Sequence, residues 1–179
     1  MTNVTLSPYK QALTDAMTYL GKQENTLFVG QQIVYAGNPM STTLVEVSKD
    51  KMIEVPVMEE TQMGMSLGLS MTGKTVISFY PRWNFLICAA NQLINHIDTY
   101  ELMTGKKANL LIRVGKGSDN PLDPGPQHKA DFINEFKSMC PHISFYELRT
   151  PETIYEIYTN AYEQGGVHVL AEYPELYYV

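Results

Sequence analysis

Cysteine is scarce in this chain, with only Cys88 and Cys140 among 179 residues. Neither sits in a CxxC pair or a Cys/His ligand cluster, and His142, two residues after Cys140, does not by itself mark a nucleophile. A disulfide framework, a zinc site and a thiol nucleophile therefore have no support in the sequence, and two reduced thiols of a cytoplasmic protein are expected. Basic residues are also few: 13 Lys and Arg stand against 19 Asp and Glu, giving a net charge of -6 and a pI near 5.2. So acidic a chain lacks the general basic surface that nucleic acid or an anionic membrane requires. No apolar run approaches the roughly 20 residues of a membrane span. Residues 1–10 lack a basic stretch followed by an apolar one, so no signal peptide is expected. Internal repeats, low-complexity tracts and linkers are missing as well.

The sequence does contain a regular alternation of strand and helix signals. Hydrophobic content is 44% and charged content 18%, which suits one globular domain over residues 1–179. Ser7-Pro8 reads as an N-cap and first helical position ahead of apolar residues at helical spacing from Tyr9 to Leu20. Strands are expected at 26–30, 52–55, 75–80, 109–114, 143–148 and 167–172. Helices are expected at 42–48, 61–72, from Asn84 (as N-cap) to about Tyr100, at 128–139 and from Thr150-Pro151 to Gln164, where Gly165-Gly166 stops the last one. Residues 115–127 read as a Gly/Pro-rich loop that includes Pro121. This order predicts an α/β fold of three layers, α/β/α, around a mostly parallel sheet, with ligands at the carboxyl ends of the strands.

Four local features carry chemistry. Val57-Met58-Glu59-Glu60 places two carboxylates where a strand gives way to a helix; they are ligand-edge groups or simple complements to the helix dipole. Gly64, Gly68 and Gly73 lack the lysine of a phosphate loop and the order of a dinucleotide fingerprint, so close helix packing is expected of them. Tyr80-Pro81-Arg82-Trp83-Asn84-Phe85 offers aromatic faces to a planar ligand, a lid or a subunit contact. Gln127-His128 puts a histidine at a loop–helix junction, either as an acid, base or substrate contact or as an uninvolved surface group. Tyr35 and Arg82 are further candidates for shaping a pocket.

Taken in order, these segments resemble the pyrimidine-binding domain of the transketolase and 2-oxoacid dehydrogenase group, above all the β subunit of the dehydrogenases' thiamine-dependent component. The likeness runs from about Tyr9 to Glu172. Ile53-Glu54-Val55-Pro56-Val57-Met58-Glu59 with the glycines that follow is similar to the family's catalytic-glutamate segment. Asn84-Phe85 and Asn91-Gln92-Leu93-Ile94-Asn95 are similar to its aromatic segment, and Gln127-His128 to its glutamine–histidine pair. The resemblance implies that Glu59, not Glu60, hydrogen-bonds N1′ of the aminopyrimidine of thiamine diphosphate. It implies that Phe85 stacks on that ring beside Val57 and Met58, and that His128 faces the substrate as second catalytic residue.

The same resemblance implies a partner. The family's pyrophosphate domain carries a Gly-Asp-Gly motif that helps hold Mg2+ and the diphosphate. This chain has none, and Gly115-Lys116-Gly117 is no substitute, so no metal ligands are assigned here. A pyrophosphate-binding subunit with Gly-Asp-Gly is expected, in a heterotetramer. The C-terminal domain of the dehydrogenase β subunits is also missing, and Gln31 and Asn91 stand where acidic residues are usual. The implied reaction is transketolase-like ketol transfer, or 2-oxo acid decarboxylation with acyloin formation, on a keto sugar or 2-oxo acid. A non-catalytic scaffold or regulatory relative is the alternative.

Overall fold

The computed structural model describes residues 7–35, 38–120 and 122–178. Pro121 and most of the segment considered for a signal peptide lie outside these. Six strands form one sheet: β1 (Thr26–Gly30), β2 (Met52–Glu54), β3 (Thr75–Tyr80), β4 (Leu110–Gly115), β5 (Ser144–Leu148) and β6 (Val167–Glu172). Their order is β2-β1-β3-β4-β6-β5, and every pairing is parallel. Every residue of β3 and β4 is buried, as central strands covered on both faces must be. The edge strands β2 and β5 are partly exposed and correspondingly more polar.

Helices cover the two faces separately. Helices α1 (Pro8–Lys22) and α6 (Pro151–Gln164) pack on one face through Leu13, Met17, Leu20, Ile154 and Tyr158 against Phe28, Ile77, Leu111 and Leu170. The other face carries α2 (Glu59–Met71), α3 (Trp83–Leu86), α4 (Tyr100–Thr104) and α5 (Ile133–Met139). There Met63, Trp83, Leu93 and Phe136 meet Val29, Val76, Ile112 and Val169. Each such fully buried aliphatic or aromatic side chain contributes about 1.5–3 kcal/mol. Ser7 caps α1 as expected, its hydroxyl accepting from Lys10 N at 3.1 Å and donating to Leu176 O at 2.8 Å. Gly165 and Gly166 end α6 at φ +61° and +94°, a backbone that disfavours side chains with a Cβ.

The structure departs from the sequence expectations in four places. Residues 42–48 form no α-helix; short 3₁₀ turns at Met40–Thr43 and Lys49–Lys51 flank them. The hydroxyls of Ser41, Thr42 and Thr43 bond to carbonyls three residues back and support these tight turns. The long helix expected from Asn84 is broken. It starts at Trp83 with Arg82 as cap, tightens to 3₁₀ at Ile87–Ala89 and widens to a π segment at Gln92–Ile97 before α4. In the π segment Asp98 N donates to Leu93 O, five residues back, at 2.9 Å. Spacings of three and four cannot tell such a broken helix from a continuous one. Helix α5 begins at Ile133, not His128; Pro126–His128 forms a short 3₁₀ turn, and Lys129 pairs with Asp119 and Asp123. Finally, among the described residues a Cβ on Gly68 would meet nothing within 4 Å, so Gly68 does not serve close packing there, whereas one on Gly64 would lie 3.5 Å from the Gln92 side chain.

Candidate functional site

The connections that follow β1, β2, β3, β4 and β6 meet at the carboxyl edge of the sheet. After β1 the chain turns through Gln32 at φ +54°. The Glu54 carboxylate fixes this turn by accepting from the N–H groups of Gln32, Ile33 and Val34 at 2.5, 3.0 and 3.0 Å. After β2, Glu59 is the first residue of α2, where a helix N-terminus favours negative charge. Its side chain is half-buried and makes no hydrogen bond or ion pair among the described residues. Its carbonyl accepts from the Tyr80 hydroxyl at 3.3 Å. Burial, and further down the Glu59 charge, push the Tyr80 phenol above its ordinary pKa. Glu60 differs: it is exposed, and Asn91 Nδ2 donates to it at 3.0 Å while Asn95 braces Asn91 at 3.0 Å.

After β3, helix α3 carries Phe85 out over the edge. The Phe85 and His128 rings lie with centroids 5.4 Å apart at an interplanar angle of 47°. His128 Nδ1 is buried without a partner among the described residues, and so is the side-chain oxygen of Asn84. Two glycines make this approach possible. A Cβ on Gly117 would fall 1.6 Å from the His128 carbonyl oxygen, and one on Gly115 would fall 2.4 Å from that of Pro81. Lys129 then ties the loop through its ion pairs with Asp119 and, at 2.8 Å, Asp123.

Between these connections lies a cleft of about 390 Å³ lined by Gln31, Asn38, Arg82, Phe85, Lys116 and Ser118, among others. Phe85 opens into it and His128 packs on Phe85. Glu59, Met58 and Val57 stand on the neighbouring β2–α2 connection, outside the cleft lining; Val57 is 79% exposed, and Met58 leans on the core. Tyr35 is 68% exposed and does not line the cleft. Arg82 was a candidate in the same segment as Phe85, but spacing gave no reason to group Lys116 and Ser118 with them. Each follows a strand whose end was legible, and convergence of such ends is the general rule for parallel sheets. Among the described residues no three His, Cys, Asp or Glu side chains converge as metal ligands, and no helix is long and apolar enough to cross a membrane.

No protein-family model matches the sequence. Over 139 residues the chain is 26% identical to the pyruvate dehydrogenase E1 component subunit beta of Cyanidium caldarium, an alignment covering 76% of this chain and 41% of that one. A split-gene transketolase, solved as an inactive β4 tetramer, superposes with a TM-score of 0.73 at 16% identity, over 93% of this chain and 51% of that one. The two likenesses support a domain of the transketolase and 2-oxoacid dehydrogenase β-subunit type. The chain spans about half or less of the length of both relatives. The all-parallel sheet is the transketolase-like pyrimidine-domain fold. The β-type resemblance seen along the sequence therefore holds for the fold.

Proposed function

We propose that this chain is the pyrimidine-binding catalytic subunit of a two-component thiamine-diphosphate enzyme. The observation that carries this reading is the contrast between Glu59 and Glu60. A half-buried carboxylate at a helix N-terminus on the ligand edge, left without a partner, suits a ring nitrogen of the aminopyrimidine. The next carboxylate is already engaged by Asn91. The half-buried Phe85 ring offers an apolar face for the same planar group, with Met58 and Val57 alongside the carboxylate. These residues fit the pyrimidine half of thiamine diphosphate.

When bound, thiamine diphosphate supplies the electron sink for chemistry beside a carbonyl. The chain's own part is to hold a proton acceptor at Glu59 and an imidazole at His128. His128 is positioned by Phe85 and by the backbone that Gly117 admits, ready to carry a proton or to bind an oxygen of the substrate. Mg2+ and the diphosphate fall to a partner subunit with a Gly-Asp-Gly motif, in a heterotetramer. The outer face of α2, open at Gly68, is available for subunit contact. The reaction is ketol transfer, or decarboxylation of a 2-oxo acid with acyloin formation, in the cytoplasm; the two free thiols suit that compartment.

Paired substitutions test the assignment. In the reconstituted enzyme Glu59→Gln lowers kcat by about 10²–10⁴-fold, with unchanged circular dichroism and melting temperature, whereas Glu60→Gln stays within about threefold of wild type. Near-normal turnover of Glu59→Gln would remove the assignment.

A further inference from the structure

The chain has three arginines, and two are paired. Arg113 is locked to Glu172 at 2.5 and 2.9 Å. Arg149 pairs with Glu147 at 2.9 Å and stacks on Tyr173. Arg82 makes no hydrogen bond or ion pair among the described residues, although it is partly withdrawn from water at the wall of the carboxyl-edge cleft. Burial pushes its pKa down with no carboxylate to offset the effect. The chain carries a net charge of -6, yet no Asp or Glu lines this cleft, whose two charged lining residues are Arg82 and Lys116. Lys116 is held at 3.5 Å from Asp131, to one side. Beside the two cations stand Gln31, Asn38, Ser118 and Asn120, which present amide and hydroxyl groups.

A guanidinium in this setting lacks a counter-ion, and its planar fork matches the oxygens of a carboxylate or phosphate. We infer that Arg82, assisted by Lys116, anchors the anionic group of a small, oxygen-rich substrate in this cleft, and so selects acidic substrates over neutral ones. The amides and hydroxyl take up the substrate's neutral oxygens, and Phe85 and Leu122 form the apolar wall. This rests on the reading of the carboxyl edge as the active site. It makes Arg82 a specificity residue with no share in proton transfer.

The test follows the three arginine Nε–H resonances of the ¹⁵N-labelled chain while inorganic phosphate, and separately acetate, is titrated at constant ionic strength. Arg82 shifts saturably and Arg113 and Arg149 do not. Arg82→Gln weakens binding about 10- to 100-fold, the size expected for a lost charge-assisted contact, and Lys116→Met weakens it less. Tighter binding of phosphate marks a phosphate ester as the natural ligand; tighter binding of acetate marks a carboxylate. No saturable shift at Arg82, or unchanged affinity in Arg82→Gln, overturns the inference. So does displacement of phosphate by thiamine diphosphate, which would give Arg82 to the cofactor. In the reconstituted enzyme Arg82→Gln raises KM for an acidic substrate at nearly constant kcat. Failure of thiamine diphosphate to bind would defeat the functional reading, while the anion titration would still decide Arg82.

Discussion

The molecule treats its buried charges and its edge charges in opposite ways. Arg113 and Glu172 are fully buried and satisfied on every side. Tyr158 donates to Glu172 at 2.9 Å, Tyr177 donates to its other oxygen, and Thr43 accepts from Arg113 at 3.1 Å. The Phe79 ring lies 4.5 Å from the guanidinium. Burial disfavours the Arg113 charge, but Glu172 and the surrounding phenols outweigh it and hold the pKa above the ordinary guanidinium value. At the carboxyl edge, Glu59, His128 Nδ1 and Arg82 have no bonding partner among the described residues. A closed polar network fixes one arrangement of the loops after β4 and β6. An open one leaves capacity for a ligand. Burial of charge alone therefore marks structure here, and incomplete pairing at the ligand edge is what the proposed site rests on.

Breaking the closed network has the largest expected effect on folding. Removing one partner, as in Glu172→Gln or Arg113→Met, costs about 3–5 kcal/mol because a buried charge is left uncompensated. Urea denaturation measures this, and Glu59→Gln in the same assay shifts stability by less than about 0.5 kcal/mol. Equal losses for the two would erase the distinction drawn between the regions. A smaller effect is expected at the joint between them. Gly117→Ala forces the His128 carbonyl to move and costs about 1–3 kcal/mol as an overpacked contact. It also lowers kcat while leaving thiamine diphosphate affinity nearly unchanged, because Phe85 stays in place and His128 does not. The least change in free energy accompanies a chemical contrast. Cys140 is 1% exposed, and burial, with Asp98 adding to it, pushes its thiol up to about 12. Iodoacetamide at neutral pH accordingly modifies exposed Cys88 and spares Cys140 until the chain unfolds, as peptide mass mapping would show.

The two regions were not equally legible in the sequence. Strand positions, the Ser7 cap and the Gly165-Gly166 stop follow from local propensity and turn chemistry, and the structure has them within a residue or two. The break after Asn84 is hidden, because a π segment keeps Leu93 and Ile97 on the core face by hydrogen bonding and not by a change of spacing. The Arg113–Glu172 network is hidden too. Its members lie 59 residues apart and meet only because β4 and β6 are neighbours. At the edge, Glu59 was visible through its motif and its strand–helix junction. The register of the motif set it apart from Glu60, and the Asn91 contact adds a physical difference between the two. The role given to Gly68 misread a face that is open among the described residues as a packed one.

The central claim is a shared thiamine site, and calorimetric titration of thiamine diphosphate with magnesium tests it most directly, into this chain alone and into its mixture with a Gly-Asp-Gly partner. The account predicts binding to the mixture only, with Glu59→Gln weakening it. A verified complex of the two chains that binds no thiamine diphosphate would contradict the account and leave a scaffold as the reading of this domain.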